Sequence, residues 1–515
     1  MRLLLLSGLG PYFLESHLLD GTLLASPVDP EVVADYRAMA GHDVDLARFS
    51  FQGRPLLRSY QGSMPHLGTE TLRSILDRAG IEHELFDLSH VWRKDREPEG
   101  SFDVVALSTS FLCDAKSLGA VLKWIDRRHP EATLVLGGQY SNLKYRSLME
   151  RHRQIDFILR GDGESAFPRL MQALAGRLEM AFVPNLVFRG DDGQARAGDL
   201  DHVDLEAQPS PSFCGTPTII PYESMRGCPF ACRFCSYPSA SPRWRYRSAG
   251  RIVDDWKAYL RNDPTVLIRA QDSTFTAPPD RLRLLLDLLP EVGVRWEAYS
   301  RADVIDGPAT VARLEAALCQ ALQIGLESMC DATLRLMNKR VTVAQNTRAV
   351  ELLGRSSIDL RAYYIVGFPG ETPEAWEETH TYLVERHEGH FGLHVFAAVD
   401  ETMPVWQDAP ALGFEATGAL DWKHSGMDSA TARELARRAL RETRWKNDAA
   451  VLRQWQLDYQ SPLVPELDRR ANLRLEKLLE KLAFLRKDRG RDSDLCRKLL
   501  HEVSLMGIDV RERPA

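Results

Sequence analysis

The chain lacks long apolar runs and an excess of either charge, and both absences limit what it can bind. No run approaches the roughly 18 apolar residues that a membrane helix needs. In the leading MRLLLLSGLGPYF, the apolar run of four leucines is too short for the core of a signal peptide. Lys and Arg number 65 against 72 Asp and Glu, a net charge of -7, and this balance disfavours a nucleic-acid partner. We expect a soluble cytoplasmic protein that binds neither membrane nor nucleic acid.

Cysteine is also scarce, because only eight occur in 515 residues. This count excludes a disulfide framework and suits a reducing cytoplasm. Three of the eight, Cys228, Cys232 and Cys235, have the spacing C-x-x-x-C-x-x-C. A structural zinc ion would need a fourth ligand nearby, yet the first histidine after them is His380.

Thiolates are the usual ligands of iron-sulfur clusters, and three of them on a cube of four irons leave one iron open. The alternative interpretation of these three cysteines is that they are buried free thiols without a metal. The surrounding Gly, Pro and Arg residues indicate a loop, which favours the cluster.

The segment MRGCPFACRFCSYP, residues 225–238, resembles the signature loop of radical S-adenosylmethionine (SAM) enzymes. The resemblance implies a 4Fe-4S cluster on the three cysteines and SAM on the open iron, with Phe234 close by. In that family an electron from the cluster cleaves SAM, and the resulting radical abstracts a hydrogen from substrate. An external reductant such as flavodoxin or ferredoxin is therefore an implied partner.

Apolar strands alternate with amphipathic helices in the first part of the chain, which predicts an α/β fold with a doubly wound, Rossmann-like parallel sheet. The length suggests roughly three domains, and we expect them at residues 1–205, 206–395 and 396–515. The strands are predicted at residues 3–6, 103–110, 132–138 and 155–164.

Small and polar residues follow three of these strands, where such sheets bind ligands. Each alone is also ordinary turn chemistry. Their order resembles the cobalamin-binding domain that precedes the core in class B radical SAM enzymes, and the resemblance implies that hydroxyls bind the nucleotide tail and glycines let it approach the backbone. The residues are Ser108, Ser110, Gly137, Gly138, Gly161 and Glu164.

The resemblance departs from one cobalamin pattern. The D-x-H-x-x-G motif that supplies a histidine to cobalt in the methionine-synthase type is absent, and D-L-S-H ending at His90 has the wrong spacing. His17, His42 and His66 precede the sheet's second strand, and a solvated surface histidine is the alternative for each. We expect cobalt to have no side-chain ligand.

Strands and helices alternate again after the cysteine loop, which predicts a partial (β/α) barrel with its chemistry at the C-terminal strand ends. The resemblance assigns the polar residues at those ends to SAM. Arg301 pairs with its carboxylate and Glu327 accepts from the ribose hydroxyls, as their chemistry allows. Ordinary surface charge is the alternative for both. The remaining assigned residues are Gln271 and Asp272 near the amino group and Ile365 beside the adenine.

The last 120 residues are rich in helix signals, and we expect a helix-rich domain that closes the substrate pocket. An apolar stripe at helical spacing predicts packing against the barrel. Trp422, His424 and Met427 lie in a polar segment where a pocket could close, although core filling is equally compatible with Trp422 and Met427. The stripe consists of Leu467, Ala471, Leu475, Leu478, Leu482 and Leu485.

These features predict a cobalamin-dependent radical SAM methyltransferase that acts on an unactivated carbon or phosphorus of a small-molecule or peptide natural product. A radical rearrangement or oxidation with the same cofactors is one alternative, and a non-catalytic iron-sulfur protein is another. A second cluster is excluded by the cysteine count, since only Cys113 and Cys214 precede the loop and only Cys496 lies in the last hundred residues.

Overall fold

A computed structural model describes residues 1–7, 48–56, 64–88, 90–91, 96–110, 112, 115–213, 215, 217–452, 462–490 and 492–511. The chain divides into two compact units. The first comprises Met1–Ser26, Met64–Cys228 and Tyr237–Arg247, and the second comprises Pro27–Ser63, Pro229–Ser236 and Ser248–Ala515. Within these described ranges, no helix is both long enough and apolar enough to cross a membrane.

The strands and helices follow the alternation expected from the sequence. In chain order the strands are β1 (Leu3–Ser7), β2 (Phe49–Phe51), β3 (Arg54–Pro55), β4 (His83–Asp87), β5 (Val104–Ser108), β6 (Thr133–Gly137), β7 (Phe157–Leu159), β8 (Leu186–Arg189), β9 (Ala195–Ala197), β10 (Ile219–Tyr222), β11 (Met225–Arg226), β12 (Arg245–Tyr246), β13 (Leu267–Ala270), β14 (Arg295–Ser300), β15 (Cys319–Glu327), β16 (Asp359–Val366), β17 (Gly389–Val395), β18 (Glu415–Gly418), β19 (Asp421–Lys423), β20 (Ala450–Leu452) and β21 (Ile508–Val510). The α-helices are α1 (Leu67–Arg78), α2 (Ala115–Arg128), α3 (Gln139–Arg151), α4 (Gly163–Leu174), α5 (Tyr237–Ala240), α6 (Ala249–Asn262), α7 (Pro279–Val292), α8 (Pro308–Ala316), α9 (Asp331–Leu336), α10 (Val343–Gly354), α11 (Pro373–Glu385), α12 (Ala409–Leu412), α13 (Ser429–Lys446), α14 (Arg469–Arg489) and α15 (Ser493–Leu505).

The first unit is built on a sheet with the strand order β4-β1-β5-β6-β7-β8-β9. Its strands from β4 to β7 are parallel, as predicted, and β8 and β9 add an antiparallel hairpin at one edge. Successive side chains of a strand point to opposite faces. Leu4 and Leu6 of β1 therefore join a core with residues of α2 and α3, whereas Leu3 and Leu5 join a core with residues of α1 and α4.

The second unit contains six parallel strands in the order β13-β14-β15-β16-β17-β20. This confirms the strand and helix alternation expected of a partial (β/α) barrel. One face of the sheet is apolar and packs against helices; the rings of Trp296 on β14 and Trp256 on α6 have centroids 6.1 Å apart. The opposite face carries the polar side chains. Since β20 lies beyond residue 395, the sheet continues past the expected boundary, and the three-domain division stays a prediction.

Charged side chains at the start of the polar face form a buried set of ion pairs. Arg361 Nη1 lies 2.9 Å from Glu297 Oε2, and its Nε lies 3.0 Å from Asp359 Oδ2. His390 bonds through Nδ1 to Asp359 Oδ1 at 2.6 Å and through Nε2 to Glu476 of α14. Burial alone would lower the pKa of His390, but the two carboxylates outweigh it and raise the pKa to about 9.

The helix expected from the apolar stripe is α14, and the stripe accounts for only part of its buried surface. Leu475, Leu478, Leu482 and Leu485 are buried as predicted. Charged residues between these leucines are buried as well, and they are paired: Lys477 Nζ donates to Ala450 O at 2.6 Å and lies 3.2 Å from Glu480 Oε2.

We expect His390 to stabilise the fold at neutral pH and to lose that contribution in alkali. Its folded pKa of about 9 lies above the ordinary value of 6.5, so the contribution is complete below pH 6.5 and disappears as the pH rises through 9. The difference corresponds to about 3 kcal/mol. Urea unfolding of the wild type and His390→Gln measures it: the free-energy gap between them should narrow from neutral to strongly alkaline pH. A free-energy gap that does not change with pH would contradict the pairing of His390 with Asp359 and Glu476.

Candidate active site

The cysteine loop is held by backbone contacts within the second unit. Arg233 N donates to Met337 O at 2.9 Å, and Val405 N donates to Arg233 O at 3.0 Å. Asn338 Nδ2 donates to Ala231 O at 2.7 Å. The segment after α9, together with Val405, therefore holds the chain on both sides of Cys232. Cys232 is buried, and Cys228 and Cys235 are half-buried.

Arg301 follows β14 and lies against this loop. Its guanidinium carbon is 3.8 Å from the centroid of the Phe230 ring, a cation–π arrangement. The side chain is buried, and it bonds to Asp303 Oδ1 at 3.0 Å and Lys339 O at 3.0 Å. The alternative of a solvated surface charge is therefore wrong for Arg301, while its role toward SAM stays a prediction.

Glu327 ends β15 in a strained backbone conformation. Its φ is 64°, and the register with β16 shifts between Gly325 and Glu327. Lys339 Nζ donates to Glu327 Oε1 at 2.7 Å, and both side chains are buried. A Cβ at position 325 would collide with Glu327 Oε1, so glycine makes room for the carboxylate. Left-handed non-glycine residues cost energy and occur preferentially at functional sites.

Lys339 is a site residue that the sequence did not reveal. Its Nζ lies 5.5 Å from the centroid of the Phe234 ring, so it connects Glu327 to the cysteine loop. No local pattern marks it, because its partners are separated from it in sequence. Of the other predicted SAM residues, Asp272 is buried, Gln271 is exposed and Ile365 is half-buried beside His394 of β17.

Trp422, His424 and Met427 support the turn that follows β16. Trp422 Nε1 donates to Phe396 O at 2.8 Å, and His424 Nδ1 accepts from Gly370 N at 3.2 Å. All three side chains are buried. The expectation that these residues lie where a substrate pocket could close stays a prediction, and the burial of Trp422 and Met427 agrees with the alternative of core filling.

The strand ends of the first unit bring the predicted cobalamin residues of β5 and β6 together. Ser108 and Gly137 are paired in register. Gly138 has a φ of 97°, and a Cβ there would lie 2.8 Å from Ser110 N. The glycine is therefore required by the neighbouring backbone, whatever ligand binds beside it. A bulky residue at 138 would displace that backbone.

Asp162 and Glu164 of the R-G-D-G-E motif form a buried ion-pair network. Arg226 Nη1 lies 2.8 Å from Asp162 Oδ1 and donates to Glu164 Oε2 at 3.0 Å. Arg245 Nη1 lies 2.5 Å from Asp162 Oδ2. Burial would raise the pKa of Asp162, but the two guanidinium groups outweigh it and lower the pKa to about 2. The motif thus ties together β11 and β12, the strands on either side of the cysteine loop in the sequence.

The candidate cobalt-ligand histidines are only partly described. His17 and His42 lie outside the described residues. His66 caps α1, because its Nδ1 accepts from Thr69 N at 3.1 Å, and burial lowers its pKa to about 4. It is therefore a helix-capping residue and not a solvated surface histidine.

Residues 222–383 match the family model of the Radical SAM superfamily. A protein described as an uncharacterized methyltransferase of Pyrococcus horikoshii is 26% identical over 342 residues, which cover 64% of this chain and 72% of that protein. The hopanoid C-3 methylase of Methylococcus capsulatus is 27% identical, covering 62% of this chain and 64% of its own length. The anaerobic magnesium-protoporphyrin IX monomethyl ester cyclase of Rubrivivax gelatinosus is 27% identical, covering 49% of each chain.

Two solved structures share the fold. The radical SAM methyltransferase TsrM of Kitasatospora setae, solved with cobalamin and a 4Fe-4S cluster, superposes with a TM-score of 0.59 and 17% identity over 79% of this chain and 78% of that chain. The cobalamin-dependent SAM radical enzyme OxsB, solved with aqua-cobalamin and SAM, superposes with a TM-score of 0.53 and 16% identity over 84% of this chain and 57% of that chain.

Removing the carboxylate at the centre of the first unit's network should destabilise the fold strongly. Asp162→Asn removes the carboxylate that pairs with the half-buried Arg226 and Arg245 and leaves one of their charges uncompensated; breaking a fully buried pair costs about 3 to 5 kcal/mol, which is the upper bound here. Asp192→Asn is the matched control, since Asp192 is exposed and pairs with Arg196 on the surface. Urea unfolding at neutral pH compares them. Equal effects of the two substitutions would show that the network does not hold β11 and β12.

Proposed function

We propose that this chain, which carries a radical SAM domain over residues 222–383, is a cobalamin-dependent methyltransferase acting on an unactivated carbon or phosphorus. The observation that carries the proposal is the meeting of strand-end charges with the cysteine loop. Arg301 lies on Phe230, and the Lys339–Glu327 pair lies beside Phe234. The same loop supplies the three cysteines, so the candidate SAM ligands contact the segment that carries the candidate cluster ligands.

The residues of the cysteine loop fit a cluster with bound SAM. Cys228, Cys232 and Cys235 would hold three irons, and the half-burial of two of them leaves the loop accessible. In the described part of the chain, no three His, Cys, Asp or Glu side chains lie close enough together to hold a metal ion. The support for the cluster is the spacing of the cysteines and the match to the family model. When bound, the cluster supplies the electron that cleaves SAM, and cobalamin carries the methyl group. Arg301 would orient the SAM carboxylate and Glu327 its ribose.

The residues of the first unit fit cobalamin in part. Ser108 and Ser110 are half-buried at the strand ends, and a Cβ at Gly137 would make only an ordinary contact, 3.9 Å from Leu159 O. Glu164 fits less well, because Arg226 occupies its carboxylate. The fold shared with TsrM and OxsB, both solved with cobalamin, adds support. We infer that the hydroxyls at 108 and 110 bind the nucleotide tail.

A non-methylating radical reaction is the second candidate. The similarity to a magnesium-protoporphyrin IX monomethyl ester cyclase favours it, since the name of that relative describes ring closure. A methylated product carrying the label of methyl-deuterated SAM supports methyl transfer, and an unlabelled product supports the second candidate.

The three cysteines should be required for SAM cleavage. Anaerobically reconstituted wild type should release 5'-deoxyadenosine from SAM after reduction, and Cys228→Ala, Cys232→Ala and Cys235→Ala should each abolish it because a cluster short of one ligand loses iron. Cys319→Ala is the control, since Cys319 is a free thiol buried in β15. Liquid chromatography with mass spectrometry measures the product.

Two results would contradict the proposal at different levels. If any of the three loop-cysteine variants cleaves SAM as fully as the wild type does, the assignment of these cysteines to the cluster is wrong. Normal cleavage by a wild type that takes up no cobalamin during anaerobic loading would leave a radical SAM enzyme but end the methyltransferase proposal.

A methyl group at position 325 that displaces the Glu327 carboxylate should weaken SAM binding as much as removing the carboxylate does. Gly325 does not have a left-handed backbone, so Gly325→Ala meets side chains alone: the Glu327 carboxylate and, at 3.1 Å, its partner Lys339 Nζ. We expect this variant and Glu327→Ala each to lose about 1 to 3 kcal/mol of SAM affinity because ribose hydroxyls are left unpaired. Isothermal titration measures affinity, and iron content should not change.

The double variant and a control sharpen this comparison. Gly325→Ala with Glu327→Ala should bind SAM no more weakly than Glu327→Ala alone, because both act through one carboxylate. Gly250→Ala, at an open position of α6, should bind as the wild type does. Additive losses in the double variant would mean that Gly325→Ala does not act through the Glu327 carboxylate, and wild-type SAM affinity in Glu327→Ala would mean that Glu327 does not contact the ribose.

A further inference from the structure

The polar face of the second unit's sheet carries a row of four side chains above the buried ion pairs. We define this middle row as Tyr299 of β14, Gln323 of β15, Tyr363 of β16 and His394 of β17. Tyr299 pairs in register with Gln323, and Tyr363 pairs with Gly325 and Gly392. Since residues paired across neighbouring strands point to the same face, the four side chains lie on one surface.

Two of these side chains form a flat aromatic surface. The rings of Tyr363 and His394 have centroids 5.9 Å apart and planes at 30°. Tyr363 donates its hydroxyl hydrogen to Gln323 Oε1 at 3.2 Å. A Cβ at 392 would lie 2.8 Å from the Tyr363 ring, so Gly392 lets this ring lie flat along the sheet. The bond from Tyr363 leaves the Gln323 amide group as a donor.

Tyr299 and His394 of the middle row are exposed and Gln323 and Tyr363 are half-buried, although residues on the other face of the same strands are buried. Tyr299 is 41% exposed, while its neighbour Ala298 is fully buried. His394 is likewise exposed beside the buried Leu393. Surrounding protein nevertheless raises the pKa of Tyr299 to about 12 and lowers the pKa of His394. Both groups are therefore uncharged at neutral pH.

The charged groups near the middle row are already compensated. Below it Arg269 pairs with Glu297, and Arg361 pairs with Glu297 and Asp359. Above it Lys339 pairs with Glu327. A phosphate or carboxylate bound to the row would therefore have to compete with protein carboxylates for every one of these cations. Such competition leaves a buried charge uncompensated, which is costly.

We propose that the middle row binds the reacting part of the substrate and that this part is an uncharged aromatic or heteroaromatic ring with at least one hydrogen-bonding group. The inference rests on the proposed function and names its substrate class. The Tyr363–His394 surface offers ring stacking. Gln323 and Tyr299 offer hydrogen bonds to a neutral donor or acceptor. The neutral imidazole of His394 offers one of each.

Fragment binding tests the class without knowledge of the whole substrate. Reconstituted protein is saturated with SAM in the absence of reductant, so that the adenine site is filled, and ligand-observed NMR then compares four fragments. Indole is the neutral aromatic, phenylphosphonate the anion, benzyltrimethylammonium the cation and cyclohexanol the non-aromatic neutral. We expect indole to bind most tightly. Preferred binding of any of the other three overturns the proposal.

Variants locate the binding surface. Tyr299→Ala and Gln323→Leu should weaken indole binding about fivefold to tenfold, whereas Phe188→Ala, which removes a comparably exposed ring from β8 (39% exposed), should have no effect. Far-ultraviolet circular dichroism should show that all three variants are folded, and reductive SAM cleavage without substrate should be normal in Phe188→Ala. Indole affinity unchanged in both middle-row variants overturns the inference alone. Absence of SAM cleavage in the wild type would overturn the proposed function instead.

Discussion

The pairing of buried charges is the constraint on which both units depend. A charge taken out of water costs several kcal/mol unless a partner lies beside it, and each unit buries several. In the first unit Asp162 joins two arginines from β11 and β12. In the second, Glu297, Arg361, Asp359, His390 and Glu476 form a chain of pairs across three strands and a helix. These pairs determine which side chains stay available to a ligand.

The same constraint changes the meaning of the sequence motifs. R-G-D-G-E follows β7, where a doubly wound sheet binds its ligands, and this position suggested cobalamin. Its two carboxylates instead hold Arg226 and Arg245. The motif therefore connects the ligand-binding edge of the first sheet to the strands that begin and end the cysteine loop. Ser108 and Ser110 are half-buried and stay the better candidates for the nucleotide tail.

Local patterns predicted the elements, and long-range pairing decided the site. The four-leucine run and the alternation of strands and helices identified both sheets, because hydrophobic periodicity is a local property. The spacing of the cysteines likewise identified the loop. Lys339 could not be found in this way, since its link to Phe234 and Glu327 exists only after the chain has folded. The contacts of Trp422 and His424 could not be found locally either, because a polar surrounding sequence does not reveal that Trp422 Nε1 bonds to Phe396 O or His424 Nδ1 to Gly370 N.

Two glutamates at the carboxyl ends of parallel strands differ in how much of each carboxylate the protein itself occupies. Both oxygens of Glu164 accept from Arg226, so the carboxylate has little capacity left for another donor. Glu327 accepts from Lys339 through Oε1. An ionised carboxylate has about four lone-pair positions, and a single lysine contact orients the group without filling them. The left-handed backbone at Glu327 and the glycine two residues earlier are conformational costs that packing alone does not explain. They are understandable if the second oxygen has to face a ligand with hydroxyl groups, as the ribose of SAM does.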